Sequence, residues 1–210
     1  MFSFGIGIIP GPFLALEVKM GRLAVFVDGG YISRIARDVF NVNPDYGKLS
    51  QAITKEINGQ SAEPVDLLRT LYYDCLPYQS PKPTPSESER FGKARKFYDA
   101  LGRLSRFEVR LGRLAYHGND AQGRPIFQQK RVDLLLGLDF ALLAGKHQIG
   151  HAAIVSGDAD LIPAVEVAKQ EGVCVWLFHG PAGSYARELW EVVDERFELT
   201  QAFMTSCARW

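Results

Sequence analysis

The stretch AAIVSGDADLIPAVEVAKQEGVCVWLF, residues 152–178, contains a strand, a helix and a second strand in direct succession. The apolar run at 151–156 predicts the first strand, and the run at 173–178 predicts the second. Between them the periodic segment 159–171 predicts a helix, and Gly172 is a typical residue to end it. Two strands joined through a helix pair in parallel. The stretch therefore predicts a parallel α/β sheet.

The same alternation of elements extends over most of the 210 residues. Further strands are predicted at 23–27 and 67–74. Further helices are predicted at 30–40, 48–57, 132–146 and 184–193. A chain of this length and pattern favours a single α/β domain, residues 21–210, with a mostly parallel sheet covered on both faces.

Residues 1–20, MFSFGIGIIPGPFLALEVKM, are apolar but differ from a targeting segment. They lack a basic start, and Pro10 and Pro12 interrupt them too early for a membrane-spanning helix. Met20 stands just ahead of the first strong strand. We expect an N-terminal arm or an upstream start-codon artefact, and no membrane association.

The charge balance limits the kinds of binding partner that the chain can attract, and the cysteine content indicates its cellular compartment. Lys plus Arg and Asp plus Glu number 24 each, so no overall field attracts nucleic acid or an anionic membrane. The cysteines are Cys75, Cys174 and Cys207, an odd and widely spaced set that matches neither a zinc site nor a disulfide framework. We expect reduced thiols and a cytoplasmic protein.

Residues 77–130 form a basic insertion within this domain. A proline-rich loop, 77–85, precedes a predicted helix from Ser86 to Phe107, where Ser86 and Glu89 fit a capping box. A β-hairpin beside the sheet is predicted after the helix, with its turn at 119–125.

From Lys82 to Arg131 twelve basic residues face five acidic ones, an excess of seven, with aromatic residues interleaved. Such a surface suits phosphates and stacked bases, with candidate contacts at Arg95, Lys96, Arg103 and Arg106. The alternative is a solvated helix whose aromatic side chains face the core.

Carboxylates follow the two strongest strands. Asp28 ends the run LAVFVD, and Asp158 and Asp160 follow the strand at 151–156. Ligands of open α/β sheets bind at the carboxyl ends of the strands, where the strand order reverses. Clustered carboxylates repel one another unless a cation neutralises them, and oxygen ligands favour Mg²⁺ or Mn²⁺. A capping role for the Asp-x-Asp pair is the alternative.

Two more acids lie in the apolar helix predicted at 132–146. Asp133 is in its first turn, where a negative charge also suits the helix dipole. Asp139 follows six residues later, rotated by about 240° around the helix axis. One helix cannot present both carboxylates in the same way, so Asp139 is a secondary candidate.

Three segments together resemble the NYN domains of the PIN-like nuclease superfamily, especially the LabA-like branch. They are FVDGGYI at 26–32, KRVD at 130–133 with the later Asp139, and SGDADLIP at 156–163. The resemblance extends from Leu23 to Leu199 and includes the segment SYARELWEVVD at 184–194.

The resemblance implies a PIN-like three-layer α/β/α fold in which acids hold a divalent metal for hydrolysis of phosphodiesters, generally in RNA. Asp28, Asp133, Asp158 and Asp160 take the acidic positions. Many relatives have Asn three residues after the first Asp, where this chain has Tyr31, which puts nucleotide contacts at that corner in question.

The leading hypothesis is a ribonuclease that uses Mg²⁺ or Mn²⁺ to activate a water and to offset charge on the phosphate. Ser156 and Gly157 would let backbone amides approach a phosphate, and Lys130 and Arg131 are further phosphate partners. The expected partner is single-stranded RNA, and a homodimer is possible.

Two other functions use the same acidic residues. One is an RNA-binding or regulatory module with little or no turnover, and the other is a phosphatase or nucleotide hydrolase for small substrates. A serine hydrolase is disfavoured because Ser156 is not in a G-x-S-x-G elbow. No glycine pattern matches a P-loop or a dinucleotide fingerprint.

Overall fold

The computed structural model describes residues 21–120, 122–123 and 125–209. The predicted arm at 1–20 lies outside the described residues. The strands are β1 (Gly21–Asp28), β2 (Val65–Cys75), β3 (Phe107–Asn119), β4 (Pro125–Lys130), β5 (His151–Val155), β6 (Cys174–His179) and β7 (Glu195–Glu198). The helices are α1 (Gly29–Asp38), α2 (Tyr46–Gln60), α3 (Pro85–Leu101), α4 (Val132–Gly145), α5 (Ile162–Gln170), α6 (Arg187–Val192) and α7 (Gln201–Ser206).

The strands form one sheet in the order β4-β3-β2-β1-β5-β6-β7. Every neighbouring pair is parallel except β3 and β4, which are antiparallel. β1 lies at the centre and pairs with β2 on one side and with β5 on the other. The prediction of a mostly parallel sheet is confirmed.

Helices cover both faces of this sheet. Side chains alternate along β1, so that Leu23, Val25 and Val27 face one core cluster while Ala24 and Phe26 face a second. The first cluster also contains buried side chains of α1, α2, α3 and α7, and the second contains those of α4, α5 and α6. The predicted three-layer arrangement is therefore confirmed.

The basic insertion projects beyond the carboxyl ends of the central strands. β3 pairs with β2 only as far as Gly112, opposite Cys75, and its remaining residues pair with β4 beyond the end of β2. In α3 only Tyr98 and Leu101 are buried, and Tyr98 bonds the carbonyl oxygen of Cys75 at 3.0 Å. The earlier turns of α3 thus extend past the same edge.

Several predicted boundaries of the insertion are wrong. The first half of β3 is a parallel member of the main sheet, so the hairpin is continuous with the sheet rather than beside it. α3 ends at Leu101, not at Phe107, because the chain turns back to begin β3.

The helix cap of α3 also differs from the predicted one. The capping box consists of Thr84 and Glu87, whose side chains each accept the other's backbone amide, at 3.2 and 2.8 Å. Pro85 occupies the first helical position, which suits its fixed φ and missing amide. The predicted pair, Ser86 and Glu89, therefore lies within the helix.

In the second half of the chain, the predicted helix 159–171 is a 3-10 turn at Ala159–Leu161 followed by α5. The predicted helix 184–193 is shortened to α6, and β7 and α7 were not predicted. All three cysteines are free thiols, as expected. Among the described residues, no helix has the length and apolar character needed to cross a membrane.

Candidate active site

The strand order reverses between β1 and β5. β2, β3 and β4 lie on one side of β1, whereas β5, β6 and β7 lie on the other side. A cleft of about 570 Å³ opens there at the carboxyl ends of the strands. Its lining contains three carboxylates and one guanidinium group, in the set Asp28, Gly30, Tyr31, Arg34, Asp133, Gly157, Asp158, Ala159 and Ala186.

Asp28 is held in place by two hydrogen bonds. Its Oδ1 accepts the backbone amide of Tyr31 at 3.0 Å and thereby caps α1, and its Oδ2 accepts the hydroxyl of Ser156 at 3.1 Å. The Ser156 hydroxyl also accepts the backbone amide of Asp158 at 3.3 Å. One buried serine thus connects two acids from different strands.

Asp158 and Asp133 approach the cleft from different elements. Asp158 follows β5, and its Oδ1 accepts the backbone amide of Asp160 at 3.0 Å to begin the 3-10 turn. Asp133 lies in the first turn of α4. Partial burial raises the pKa of Asp133, and the negative charges of Asp158 and Asp160 raise it further. The Asp160 side chain is exposed and does not line the cleft.

The electrostatics of the cleft favour a bound cation. Burial raises the pKa of Asp28, and although its hydrogen bonds to Tyr31 and Ser156 lower it, repulsion from Asp133 and Asp74 adds to the increase. Protonation or a cation would each relieve this repulsion.

The chemistry of the donor set fits a hard cation such as Mg²⁺ or Mn²⁺, because all three carboxylates present oxygen atoms. In the part of the chain that the structure describes, no three His, Cys, Asp or Glu side chains come close enough to hold an ion directly. Mg²⁺ usually keeps several of its waters in protein sites. The residues therefore fit a hydrated ion contacted partly through water.

Asp74 is a nearby acid that the sequence reasoning missed. It follows Tyr73, which pairs with Asp28 across the β1–β2 ladder. Its Oδ1 accepts the backbone amide of Cys75 at 2.7 Å, and its Oδ2 accepts the hydroxyl of Tyr72 at 3.3 Å. Burial raises its pKa. Like Asp28, it stands at the end of an apolar strand, which is the signal that could have identified it.

Asp139 lies apart from the other acids. Its carboxylate accepts the hydroxyl of Tyr73 at 3.0 Å and the Nε–H of Arg110 at 3.1 Å. These contacts attach α4 to β2 and β3 outside the acidic cleft. The structure therefore gives this secondary candidate a role in packing, as its rotation from Asp133 around α4 suggests.

Tyr31 and Gly157 shape one wall of the cleft. The buried Tyr31 hydroxyl accepts the backbone amide of Gly180 at 2.9 Å and lies 3.3 Å from the hydroxyl of Ser184. A Cβ at Gly157 would stand 2.5 Å from the carbonyl oxygen of Ser184 and 2.7 Å from the Tyr31 ring. Both residues therefore fix the 180–186 loop. The hydroxyls of Tyr31 and Ser156 both make hydrogen bonds within the protein.

Four of the predicted phosphate contacts are basic residues on α3 or in the turn that follows it. Arg95, Lys96 and Arg103 are exposed on α3 and the turn after it. Arg106 is instead paired with Asp66 at 2.8 Å.

Arg131 is exposed just before α4, and the side chain of Lys130 is outside the described part of the structure. A basic residue that the sequence reasoning missed is Arg34, which is exposed and lines the cleft. Its position one turn after Gly30 on α1 was the available signal.

Comparisons with known proteins agree with this architecture. The fold is similar to a crystal structure of a protein of unknown function from Vibrio parahaemolyticus, with a TM-score of 0.59 and 19% identity. The similarity covers 86% of this chain and 94% of that chain, and it concerns the fold alone. No curated protein matches. The sequence model of the NYN domain matches residues 22–200.

Proposed function

The chain belongs to the NYN domain family, and from this premise we propose that it is a metal-dependent ribonuclease that hydrolyses RNA in the acidic cleft. The observation that carries the proposal is that Asp28, Asp133 and Asp158 line one cleft where the strand order reverses. The three motifs support the LabA-like branch, and three free thiols support a cytoplasmic location.

Asp28, Asp133 and Asp158 would hold hydrated Mg²⁺ or Mn²⁺, partly through its waters, and the ion would supply an activated water and offset charge on the phosphate. The chain's own contribution is orientation. The Ser156 hydroxyl and the Tyr31 amide fix the carboxylate of Asp28, leaving each of its oxygens a second lone pair. Arg34 is exposed and lines the cleft, so its guanidinium group can pair with a phosphate.

The position of the basic insertion supports a polymeric substrate. α3 and the hairpin extend past the carboxyl ends of the central strands, the edge at which the cleft opens. Exposed Arg95 and Lys96 lie just before Tyr98, which bonds the end of β2, and exposed Arg103 lies in the turn after α3; all three would contact phosphates outside the cleft. A small phosphorylated substrate bound in the cleft would make no contact with these residues and would gain no affinity from them.

Cleavage of labelled single-stranded RNA tests the proposal. We expect cleavage with Mg²⁺ or Mn²⁺, none after chelation, and a rate at least about 100-fold lower in Asp158→Asn, because a metal contributes several kcal/mol to the transition state. Asp99→Asn, an exposed carboxylate on α3, is the matched control and should cleave like the wild type.

Each other outcome has a distinct meaning. Equal cleavage rates for the wild type and Asp158→Asn would show that RNA is not cleaved in the acidic cleft. Tight RNA binding without cleavage would favour the RNA-binding module. Release of phosphate from small substrates, with intact RNA, would favour the phosphatase or nucleotide hydrolase.

The contribution of the basic surface can be measured from the salt dependence of RNA binding. Replacing Arg95, Lys96 and Arg103 together by Gln should reduce the slope of log K against log salt by about 2, since each phosphate contact with a single strand contributes roughly 0.7. Arg106→Gln is the matched control, because Arg106 bonds both carboxylate oxygens of Asp66 and the carbonyl oxygen of Leu67. An unchanged slope in the triple variant would contradict the proposed contacts.

A further inference from the structure

A second cleft, of about 500 Å³, lies on the other side of α1. It is bounded by α1, by the segment 41–44 before α2, and by α3. The lining residues that matter here are Ser33, Arg37, Asn41, Asn43, Tyr46 and Phe97.

The two clefts are neighbours across α1. Tyr31 and Arg34 line the acidic cleft, whereas Ser33 and Arg37 line the second. The separation is therefore about the diameter of one helix, roughly 10 Å.

A series of buried contacts joins the floors of the two clefts. The Ser33 hydroxyl is 3.1 Å from that of Tyr46, whose ring packs edge-on against Tyr72 at 4.9 Å. The Tyr72 hydroxyl in turn donates to Asp74, which directly follows Tyr73, the residue that pairs with Asp28 between β1 and β2. The second cleft is thus fixed relative to the acidic cleft.

The aromatic part of the second cleft is rigid. Phe97 is half-buried, and its ring packs edge-on against Tyr46 at 5.8 Å and Tyr72 at 6.1 Å. The guanidinium group of Arg209 lies 5.9 Å from the centre of the same ring. A ring held by its neighbours loses little conformational freedom when a planar ligand stacks on it.

The polar part of the cleft offers hydrogen bonds of both kinds. Asn41 and Asn43 are exposed, and their side-chain amides make no hydrogen bond within the described part of the chain. Arg37 pairs with the adjacent Asp38 at 2.6 Å, with both side chains largely exposed. A pair of this kind is weak, so a phosphate can compete for the arginine.

We propose that the second cleft binds one nucleobase of a single-stranded RNA whose backbone crosses the acidic cleft. The base takes the place of the Arg209 guanidinium group over Phe97, the amides of Asn41 and Asn43 bond its edge, and Arg37 contacts a flanking phosphate. The inference rests on the proposed ribonuclease function. It predicts that the cut falls at a fixed, short distance from the bound base.

Short labelled RNAs, each with a single abasic nucleotide at a different position, test this subsite. Affinity is measured by fluorescence anisotropy in the presence of a chelator, so that no strand is cut. For the wild type, one position should lower the affinity about tenfold, the value of one stacked base, while the other positions change it little.

The double variant Arg37→Gln, Asn43→Ala should bind intact RNA several-fold more weakly and lose sensitivity to the abasic nucleotide at that position. Both side chains are exposed, so the variant should fold normally. The double variant Gln51→Ala, Lys55→Gln removes an amide and a charge from the exposed face of α2 and should behave like the wild type.

A flat abasic profile for the wild type, or an unchanged position dependence in the Arg37→Gln, Asn43→Ala variant, would overturn the subsite. If the same RNAs are still cleaved when metal is added, only the subsite has failed. If the wild type neither binds nor cleaves any of them, the ribonuclease function and the subsite fail together.

Discussion

Replacing Asp28 by Asn is expected to lower the rate of RNA cleavage at least about 100-fold while leaving the fold intact. The amide has the same shape as the carboxylate, and Asn is an equally good cap for α1 through the Tyr31 amide. Its NH₂ group would replace Oδ2 and donate to the Ser156 hydroxyl, which donates to Asp28 in the wild type. The main loss is the negative charge that would hold the cation.

The same substitution should preserve or increase stability at neutral pH without metal. Burial raises the pKa of Asp28, so the folded protein binds a proton more tightly than the unfolded chain. Stability therefore falls as the pH rises from the unfolded pKa of this carboxyl through its folded pKa. In Asp28→Asn this contribution to the loss of stability with rising pH is absent.

Cleavage assays and thermal melting at several pH values check both expectations. Asp45→Asn is the matched control, because Asp45 caps α2 through the amides of Gly47 and Lys48 but does not line the acidic cleft. It should retain activity. An Asp28→Asn protein that cleaves at the wild-type rate would contradict the role of this residue, and one that unfolds more easily would contradict the electrostatic argument.

Replacing Gly157 by Ala is expected to destabilise the protein by about 1–3 kcal/mol and to reduce cleavage. The added Cβ would stand 2.5 Å from the Ser184 carbonyl oxygen and 2.9 Å from the Cα of Tyr185. Backbone atoms cannot rotate away, so the 180–186 loop must move. Its movement would break the bond between the Ala186 amide and the Gly157 carbonyl oxygen and displace the adjacent Asp158.

Gly92→Ala is the matched control for this substitution. Gly92 lies inside α3, and a Cβ there would meet nothing within 4 Å. Alanine should stabilise the helix by roughly 0.5–1 kcal/mol. Chemical denaturation measures both variants. If Gly157→Ala is as stable as Gly92→Ala, the 180–186 loop is not fixed in the way its contacts indicate.

Those acids of the cleft that directly follow an apolar strand could be predicted from the sequence. Asp28 and Asp158 each follow a strongly apolar strand, and the carboxyl ends of parallel strands meet at one edge of a sheet. Asp74 follows the same rule, since it is the last residue of the strand predicted at 67–74, but it was not recognised as a candidate. Its approach to Asp28 depends on Gly29, where a Cβ would stand 2.8 Å from the Asp74 carboxylate.

Other features depend on tertiary contacts that no local pattern contains. Arg106 has the same sequence signal as Arg103, but its pairing with Asp66 depends on where β2 and the turn before β3 meet. The parallel pairing of β3 with β2 was missed because its alternation is weak. The Tyr73 and Arg110 contacts of Asp139 likewise follow from that pairing.

The sheet order has a consequence for the nascent chain. Everything up to β4 builds one side of the sheet, and Asp158 arrives only with β5, which must pair with the already synthesised β1. A chain still attached to the ribosome before that point lacks one of the three acids. Under the proposed function, a nascent chain therefore has no complete acidic cleft until β5 has been synthesised and has paired with β1.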